Sequence, residues 1–318
     1  MAPLGPVVKR LGVFVIPLEI TQKLKAKAAE LGFELSGAAR AVTPASYPSF
    51  LDWLGRGYAG EMGYLERRKD ERGNPQSLLP GARSIFCVGL SYNPRPEHYP
   101  LLEKHPISCY AWGKDYHEVL GGKLKSLSDY LSKDLVPGAA TKYYVDTGPV
   151  LERSYAASAG LGWIGKNTLL LHKKFGSFLF LGEILTDVEL AFDEPVDNLC
   201  KTCTACLEAC PVGALEEPGL LNANKCISYL TLEHRTDFKE SVDLQGYLAG
   251  CDLCQTVCPY NANAPAGLVE SFQPRPGLLT LTASQASRLT EPEFKAFTKD
   301  SALERIKYPM WKRNASQA

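Results

Sequence analysis

Eight of the chain's ten cysteines fall between Cys200 and Cys258, and their spacing limits the fold more than any other feature of the sequence. The first set reads Cys200-x2-Cys203-x2-Cys206-x3-Cys210-Pro211. The second reads Cys251-x2-Cys254-x3-Cys258-Pro259, with Cys226 upstream of it. A close-spaced set lets one tight loop wrap an iron–sulfur cube. The cysteine before proline is carried into the next turn, where it ligates the other cube. The spacing predicts two [4Fe–4S] clusters with crossed ligation: Cys200, Cys203, Cys206 and Cys258 on one, Cys210, Cys226, Cys251 and Cys254 on the other. The competing reading is a pair of four-cysteine zinc sites. Those usually use two CxxC pairs, not a third cysteine at the same spacing followed by Cys-Pro.

A disulfide framework would make the whole chain short and loop-rich, and here it is 318 residues long. One dense cysteine block in such a chain points to metal in a reducing compartment. Lys+Arg and Asp+Glu both number 35, so no whole-surface attraction to nucleic acid or anionic lipid is expected. No apolar stretch reaches the roughly 20 residues of a membrane span. The best candidate, Phe178 to Phe192, carries Glu183, Asp187 and Glu189. The short apolar run Leu11–Pro17 lacks a small-residue cleavage site. A cytoplasmic location is therefore expected.

Ahead of the cysteines, residues 1–20 read as an irregular lead-in. Thr21 is placed to cap a helix that stops at Gly32. Ser84–Leu90 reads as a buried strand, and Asp115–Leu135 has helical spacing. Tyr143–Val145 is a short strand running into Asp146-Thr147-Gly148, and Leu151–Ala159 is a helix ended by Gly160. Thr168–Leu171 and Phe178–Leu185 look like the arms of a hairpin. This alternation predicts an α/β domain over residues 1–195. A ferredoxin-like α+β domain over 196–263 and a helical, basic tail over 264–318 follow. Clusters carry electrons but perform no bond chemistry alone, so the front domain must supply a substrate or second cofactor.

Tyr144-Val-Asp-Thr-Gly-Pro-Val-Leu-Glu-Arg153 is followed by Ala159-Gly-Leu-Gly-Trp-Ile-Gly-Lys-Asn-Thr168, Gly176-Ser-Phe178 and Leu181-Gly-Glu-Ile-Leu-Thr-Asp187. Tyr110-Ala-Trp-Gly-Lys-Asp-Tyr-His117 stands upstream. Cys226-Ile-Ser-Tyr-Leu-Thr231 and Gly250-Cys-Asp-Leu-Cys-Gln255 stand downstream. In this order the set closely resembles the epoxyqueuosine reductases, from about Arg72 to Tyr260. Reductive dehalogenases, whose front domain is nitroreductase-like, are similar in architecture but share far less of this wording.

The resemblance implies an α/β domain and a two-cluster domain holding base-off cobalamin between them. It implies reduction of the epoxide of epoxyqueuosine at the tRNA wobble position to queuosine. No histidine stands in a metal-binding spacing, which fits a cobalt without a protein ligand. Asp146 matches the family's general acid, a role that calls for a raised pKa. From spacing alone, an Asp at a strand end before Thr-Gly equally caps a turn. Arg72, Cys109, Asp146, Leu151, Glu152, Arg153, Lys166, Asn167, Leu170, Leu181, Ser228 and Asp252 match cofactor-contacting positions. Each is also open to ordinary turn, cap or core duty. Trp112 and His117 are core or pocket residues.

A tRNA partner needs basic groups along phosphates and a pocket for an extruded base. Arg235 and Lys239, with Arg305, Lys307, Lys312 and Arg313 of the tail, are the candidates, although a solvated charged face explains them as well. The resemblance also calls for a low-potential electron donor, and a monomer is expected. Two other functions compete. A cobalamin-dependent dehalogenase of a small molecule is one. A non-catalytic two-cluster electron carrier is the other, and it leaves the front domain without a task.

Overall fold

The run Ser84–Ser91 is buried at every residue because both of its faces are covered. The computed structural model describes residues 8–10 and 13–318, with side chains from Ile16 onward. Its main sheet has four strands: β1 (Leu35–Arg40), β2 (Ser84–Ser91), β3 (Thr141–Tyr144) and β4 (Leu179–Thr186). The order is β1-β2-β4-β3. Four helices matter for the argument: α1 (Pro17–Glu30), α2 (Tyr116–Asp129), α3 (Glu152–Ser158) and α4 (Tyr308–Ala315).

One face of β2 presents Phe86, Val88 and Leu90 to Leu24 of α1 and to Leu120, Leu124 and Leu127 of α2. The other presents Ile85 and Cys87 to Tyr155 and Ala156 of α3. In α2, Gly121 and Gly122 each cost roughly 1 kcal/mol against alanine. Three fully buried leucines, at about 1.5–3 kcal/mol each, outweigh that cost. Packing rather than propensity holds the helix.

Every neighbouring pair in this sheet is antiparallel. The alternation of strands and helices suggests an α/β domain, and the sheet direction departs from that. A continuous apolar strand is the mark of burial on both faces, which helices on both sides supply here without a parallel sheet. The hairpin expected over residues 168–185 is also absent. Leu170–Leu171 turns back to pair with Trp163–Ile164, while β4 pairs with β2 and β3. Thr21 does not cap a helix. Pro17 opens α1, and the Thr21 hydroxyl donates back to its carbonyl at 2.8 Å. The lead-in expected over residues 1–20 lies partly outside the described residues. Val8–Arg10 and Val13–Val15 form an antiparallel pair.

The cysteine block is made of short pieces. Helices Ala205–Glu208, Ile227–Leu232, Leu253–Thr256 and Pro259–Ala262 flank a small strand pair. Its own apolar clusters are small. The C-terminal segment is helical as expected, but it does not stand apart. Phe294, Leu303, Met310 and Trp311 share the core of the front sheet, and Trp311 Nε1 donates to Ala286 O at 2.9 Å.

Among the described residues, no helix is long and apolar enough to cross a membrane.

Candidate active site

β3 ends in a turn that throws Asp146 into the left-handed backbone region, at φ 54°. Few side chains other than Asn or Asp sit there without strain. Gly148 lets the turn close, since a Cβ on it would meet the Tyr144 ring at 2.4 Å. The Asp146 amide donates to Glu152 Oε1 at 2.5 Å, which ties the turn to the start of α3.

The Asp146 carboxyl faces His117. His117 Nε2 lies 3.4 Å from Asp146 Oδ2, and His117 Nδ1 lies 2.7 Å from Asp115 Oδ1. Asp115 also caps α2 by accepting the His117 amide at 2.9 Å, so one carboxylate fixes both the helix start and the ring. Tyr116 stacks on the His117 ring at 4.1 Å and on Phe180 at 4.3 Å.

Burial opposes charge on His117, but the hydrogen bonds and charges of Asp115 and Asp146 raise it to about 9. It is an imidazolium at neutral pH. Burial pushes Asp146 up. The His117 hydrogen bond and charge, the Tyr116 hydroxyl and the Arg305 charge outweigh that and hold it below the usual carboxylate range. The raised pKa expected of Asp146 is therefore not found. Its histidine partner overrides burial, and the proton rests on His117.

The Asp146 side chain is 48% exposed, yet surrounding protein desolvates it. Arg153 is likewise exposed and still loses basicity to the protein packed around it. Water thus reaches both side chains although protein packs closely around them. Arg305 belongs to the same place, since its charge is felt by Asp146, Tyr110 and Tyr116. Its guanidinium pairs with Glu233.

The seam between sheet and cysteine block gathers most of the other candidates. Buried Asp252 accepts Ser108 Oγ at 2.5 Å and the Cys109 amide at 2.7 Å. Asn167 Nδ2 donates to Cys254 O at 3.2 Å, and the Lys166 carbonyl accepts the Gly219 amide at 2.9 Å. Arg153 Nη1 donates to Thr168 O at 2.5 Å, joining α3 to the same segment. Leu170 is buried against α3, and Leu181 packs partly beside it. Leu151 caps α3. Arg72 is buried rather than a surface charge, and feels Glu152. Ser228 stands apart, half-buried on the helix after Cys226. Trp112 is core, with its ring nitrogen donating to Ile107 O at 2.8 Å.

All ten cysteines are free. Burial raises the Cys258 thiol, with contributions from Cys200, Cys206 and Cys203. Burial likewise raises Cys251 to about 12, and there the neighbouring thiols are Cys226 and Cys210. Cys254 has Cys251 and Cys226 as its nearest thiol influences. Cys254 also feels Cys206 of the first motif, and among the described residues no three of these side chains stand close enough together to hold a metal ion. Trp163 Nε1 donates to Cys200 Sγ at 3.4 Å, and the Ala214 amide donates to Cys210 Sγ at 3.2 Å.

The basic candidates separate. Arg235, Lys239 and Lys307 are exposed. Lys312 Nζ donates to Ser287 O at 2.6 Å. Arg313 donates to the carbonyls of His234 and Leu230 at 2.8 Å each, and also to Thr236 O. It stacks over Phe238 at 4.1 Å. Its donors are engaged inside the fold.

Sequence reasoning missed Tyr110, Tyr116 and Glu183. A signal existed for Glu183, a lone acid in an apolar strand. The tyrosines stand in the Tyr110–His117 segment, but that segment alone gives neither a role.

Residues 72–147 match the family described as "Epoxyqueuosine reductase QueG, DUF1730". Residues 199–261 match a "4Fe-4S double cluster binding domain". The epoxyqueuosine reductase of Gloeobacter violaceus is 42% identical over 307 residues, covering 93% of this chain and 94% of the relative. A crystal structure of epoxyqueuosine reductase with an epoxyqueuosine-modified tRNA-Tyr stem loop is 33% identical, with a TM-score of 0.81 over 93% of this chain and 80% of that one. A Bacillus subtilis epoxyqueuosine reductase whose aspartate-bearing catalytic loop is swung out of the active site is also 33% identical, with a TM-score of 0.82 and the same coverage.

Proposed function

This chain belongs to the epoxyqueuosine reductase family, and from that premise we propose that Asp146 delivers a proton to the epoxide oxygen of a tRNA wobble base brought against it. The chain is an oxidoreductase that reduces epoxyqueuosine. The reaction consumes two electrons and two protons, opens the C–O bonds of the epoxide, and yields an alkene and water.

The observation that carries the reading is the Asp115–His117–Asp146 line. His117 holds a proton at neutral pH within reach of Asp146. A base brought against Asp146 removes water from it and favours its neutral form. The proton then passes from His117 Nε2 to Asp146 Oδ2 and on to the leaving oxygen. Arg305 and Tyr116 orient that carboxyl.

Eight free thiols suit two [4Fe–4S] clusters, with crossed ligation in which Cys258 would join the first motif and Cys210 the second. Base-off cobalamin suits the region between Asp146 and the seam. Arg72, Cys109, Leu151, Glu152, Arg153, Lys166, Asn167, Leu170, Leu181 and Asp252 would hold it, with Ser228 at the edge. When bound, cobalamin supplies a low-potential, strongly nucleophilic metal for reductive C–O cleavage, and the clusters supply its electrons singly. Arg235, Lys239 and Lys307 are assigned to tRNA phosphates, and Arg305 to the surroundings of Asp146. The work belongs in the cytoplasm, with a low-potential donor feeding a monomer.

The test is anaerobic reconstitution followed by mass spectrometry of a modified tRNA stem loop. About eight irons and one cobalt per chain are expected, with conversion of the epoxide. Zinc in place of iron, or refusal of cobalamin, overturns the proposal.

A further inference from the structure

Glu183 is fully buried in the middle of β4, and neither of its side-chain oxygens has a hydrogen-bond partner among the described residues. An ionised carboxylate in that position is costly. Buried polar groups without partners call for an explanation. Glu183 lies on the sheet face covered by α3, opposite Cys87 of β2 and Tyr144 of β3. After its burial, the charge and hydrogen-bonding influence of Glu152 are what most raise Glu183, and Glu152 stands at the start of α3, the helix covering this face. Two carboxyls without another donor satisfy each other only if one is neutral and donates its O–H.

We propose that Glu152 and Glu183 share one proton, and that this acid pair pins the Asp146 turn, making Glu183 a positioning residue for the proton donor. Glu183 donates to Glu152. Glu152 keeps the negative charge and accepts the Asp146 amide at 2.5 Å. That charge-assisted bond holds Asp146 at its positive φ.

The surroundings agree. Burial raises both groups, and each also feels the charge of Asp146. Arg153 on α3 is the cation that lowers Glu152. Arg72 and Tyr116 also sense Glu152, and the Cys87 thiol is kept neutral. The Tyr144 hydroxyl is buried without a partner among the described residues. Protonation of the pair therefore persists through neutral pH.

The inference rests on Asp146 acting at the reacting centre, and two of its readouts do not depend on turnover. Infrared spectra of the holoenzyme at neutral pH are expected to contain the carbonyl stretch of a buried neutral carboxylic acid, lost in Glu183→Gln. Amide exchange across residues 145–151 is expected to quicken in Glu183→Leu and to return towards the wild-type rate in Glu183→Gln, whose amide still donates to Glu152. Turnover should fall about 100-fold in Glu183→Leu with KM for the stem loop little changed, as expected for a misplaced catalytic group, and recover in large part in Glu183→Gln. If Glu183→Leu does not fold, the wild-type band and the Glu183→Gln exchange rate decide. A wild-type enzyme without the band, or Glu183→Gln exchange as fast as that of an unpinned turn, overturns the pair. Full activity in Asp146→Ala would instead remove the donor role while leaving the band and exchange readouts to judge the pair.

Discussion

The charge of Asp146 is felt by residues as far apart in sequence as Tyr64 and Arg305, with Tyr110 and Tyr116 between them. In the cysteine block, the eight thiols lie between Cys200 and Cys258, all but Cys226 in two short motifs of close spacing. The two regions also differ in what holds them. The Asp146 turn stands on a sheet packed on both faces. The cysteine block has small apolar clusters and leans on loops beside the sheet through Ile107–Ala249, Ser108–Asp252 and Asn167–Cys254. At the seam, Gly250 carries φ 78°, and a Cβ there would meet Ser108 Cβ at 2.5 Å. One region is organised by its own core and the other by its ligands and its neighbour.

Removing iron breaks the comparison most severely. Chelation, or Cys258→Ala, is expected to abolish epoxide reduction and to open residues 199–261 to protease while the sheet stays resistant, because ligand binding supplies the block's folding energy. Equal resistance in both regions would contradict the contrast.

A smaller effect is expected at the histidine. His117 is raised to about 9, so its proton is present below that pH and lost above it. Turnover in the wild type should fall as pH rises through about 9. In His117→Gln that alkaline limb should disappear, and the rate at neutral pH should drop roughly 100-fold, at the low end of general acid–base effects. An unchanged pH profile would remove His117 from the proton path.

Arg313→Ala sharpens the distinction between tRNA grip and internal support. It should destabilise the fold by about 1.5–3 kcal/mol, as expected for lost charged hydrogen bonds, with stem-loop affinity unchanged at a temperature where the variant is folded. Lys239→Ala should do the reverse. Trp163→Phe has the smallest expected effect. It removes a donor to Cys200 Sγ and should make the nearby cluster modestly harder to reduce by redox titration, since such bonds favour the reduced state.

The same contrast separates what is legible in the sequence from what is not. Cysteine spacing is local, so the cluster-binding block that the family match covers over residues 199–261 can be read from the order of residues alone. So can the buried run of β2 and the period of α2, whose leucines face one core. Strand direction cannot, because a strand covered on both faces has the same apolar run in either orientation. The pairing of Leu170–Leu171 with Trp163–Ile164 rests on too few residues to leave a pattern. The expected sign of the Asp146 shift fails because its partner lies on another element, at the start of α2. Arg305 and Arg313 look alike as tail cations. Only the fold brings one to the neighbourhood of Asp146 and the other to internal carbonyls.

The central claim is that Asp146 hands over the proton that lets the epoxide oxygen leave. The most direct measurement is single-turnover conversion of an epoxyqueuosine stem loop by reconstituted Asp146→Asn enzyme, with cluster reduction followed in the same sample by electron paramagnetic resonance. The account predicts clusters that reduce as in the wild type and conversion slowed by about 100-fold or more. Conversion at the wild-type rate would contradict it.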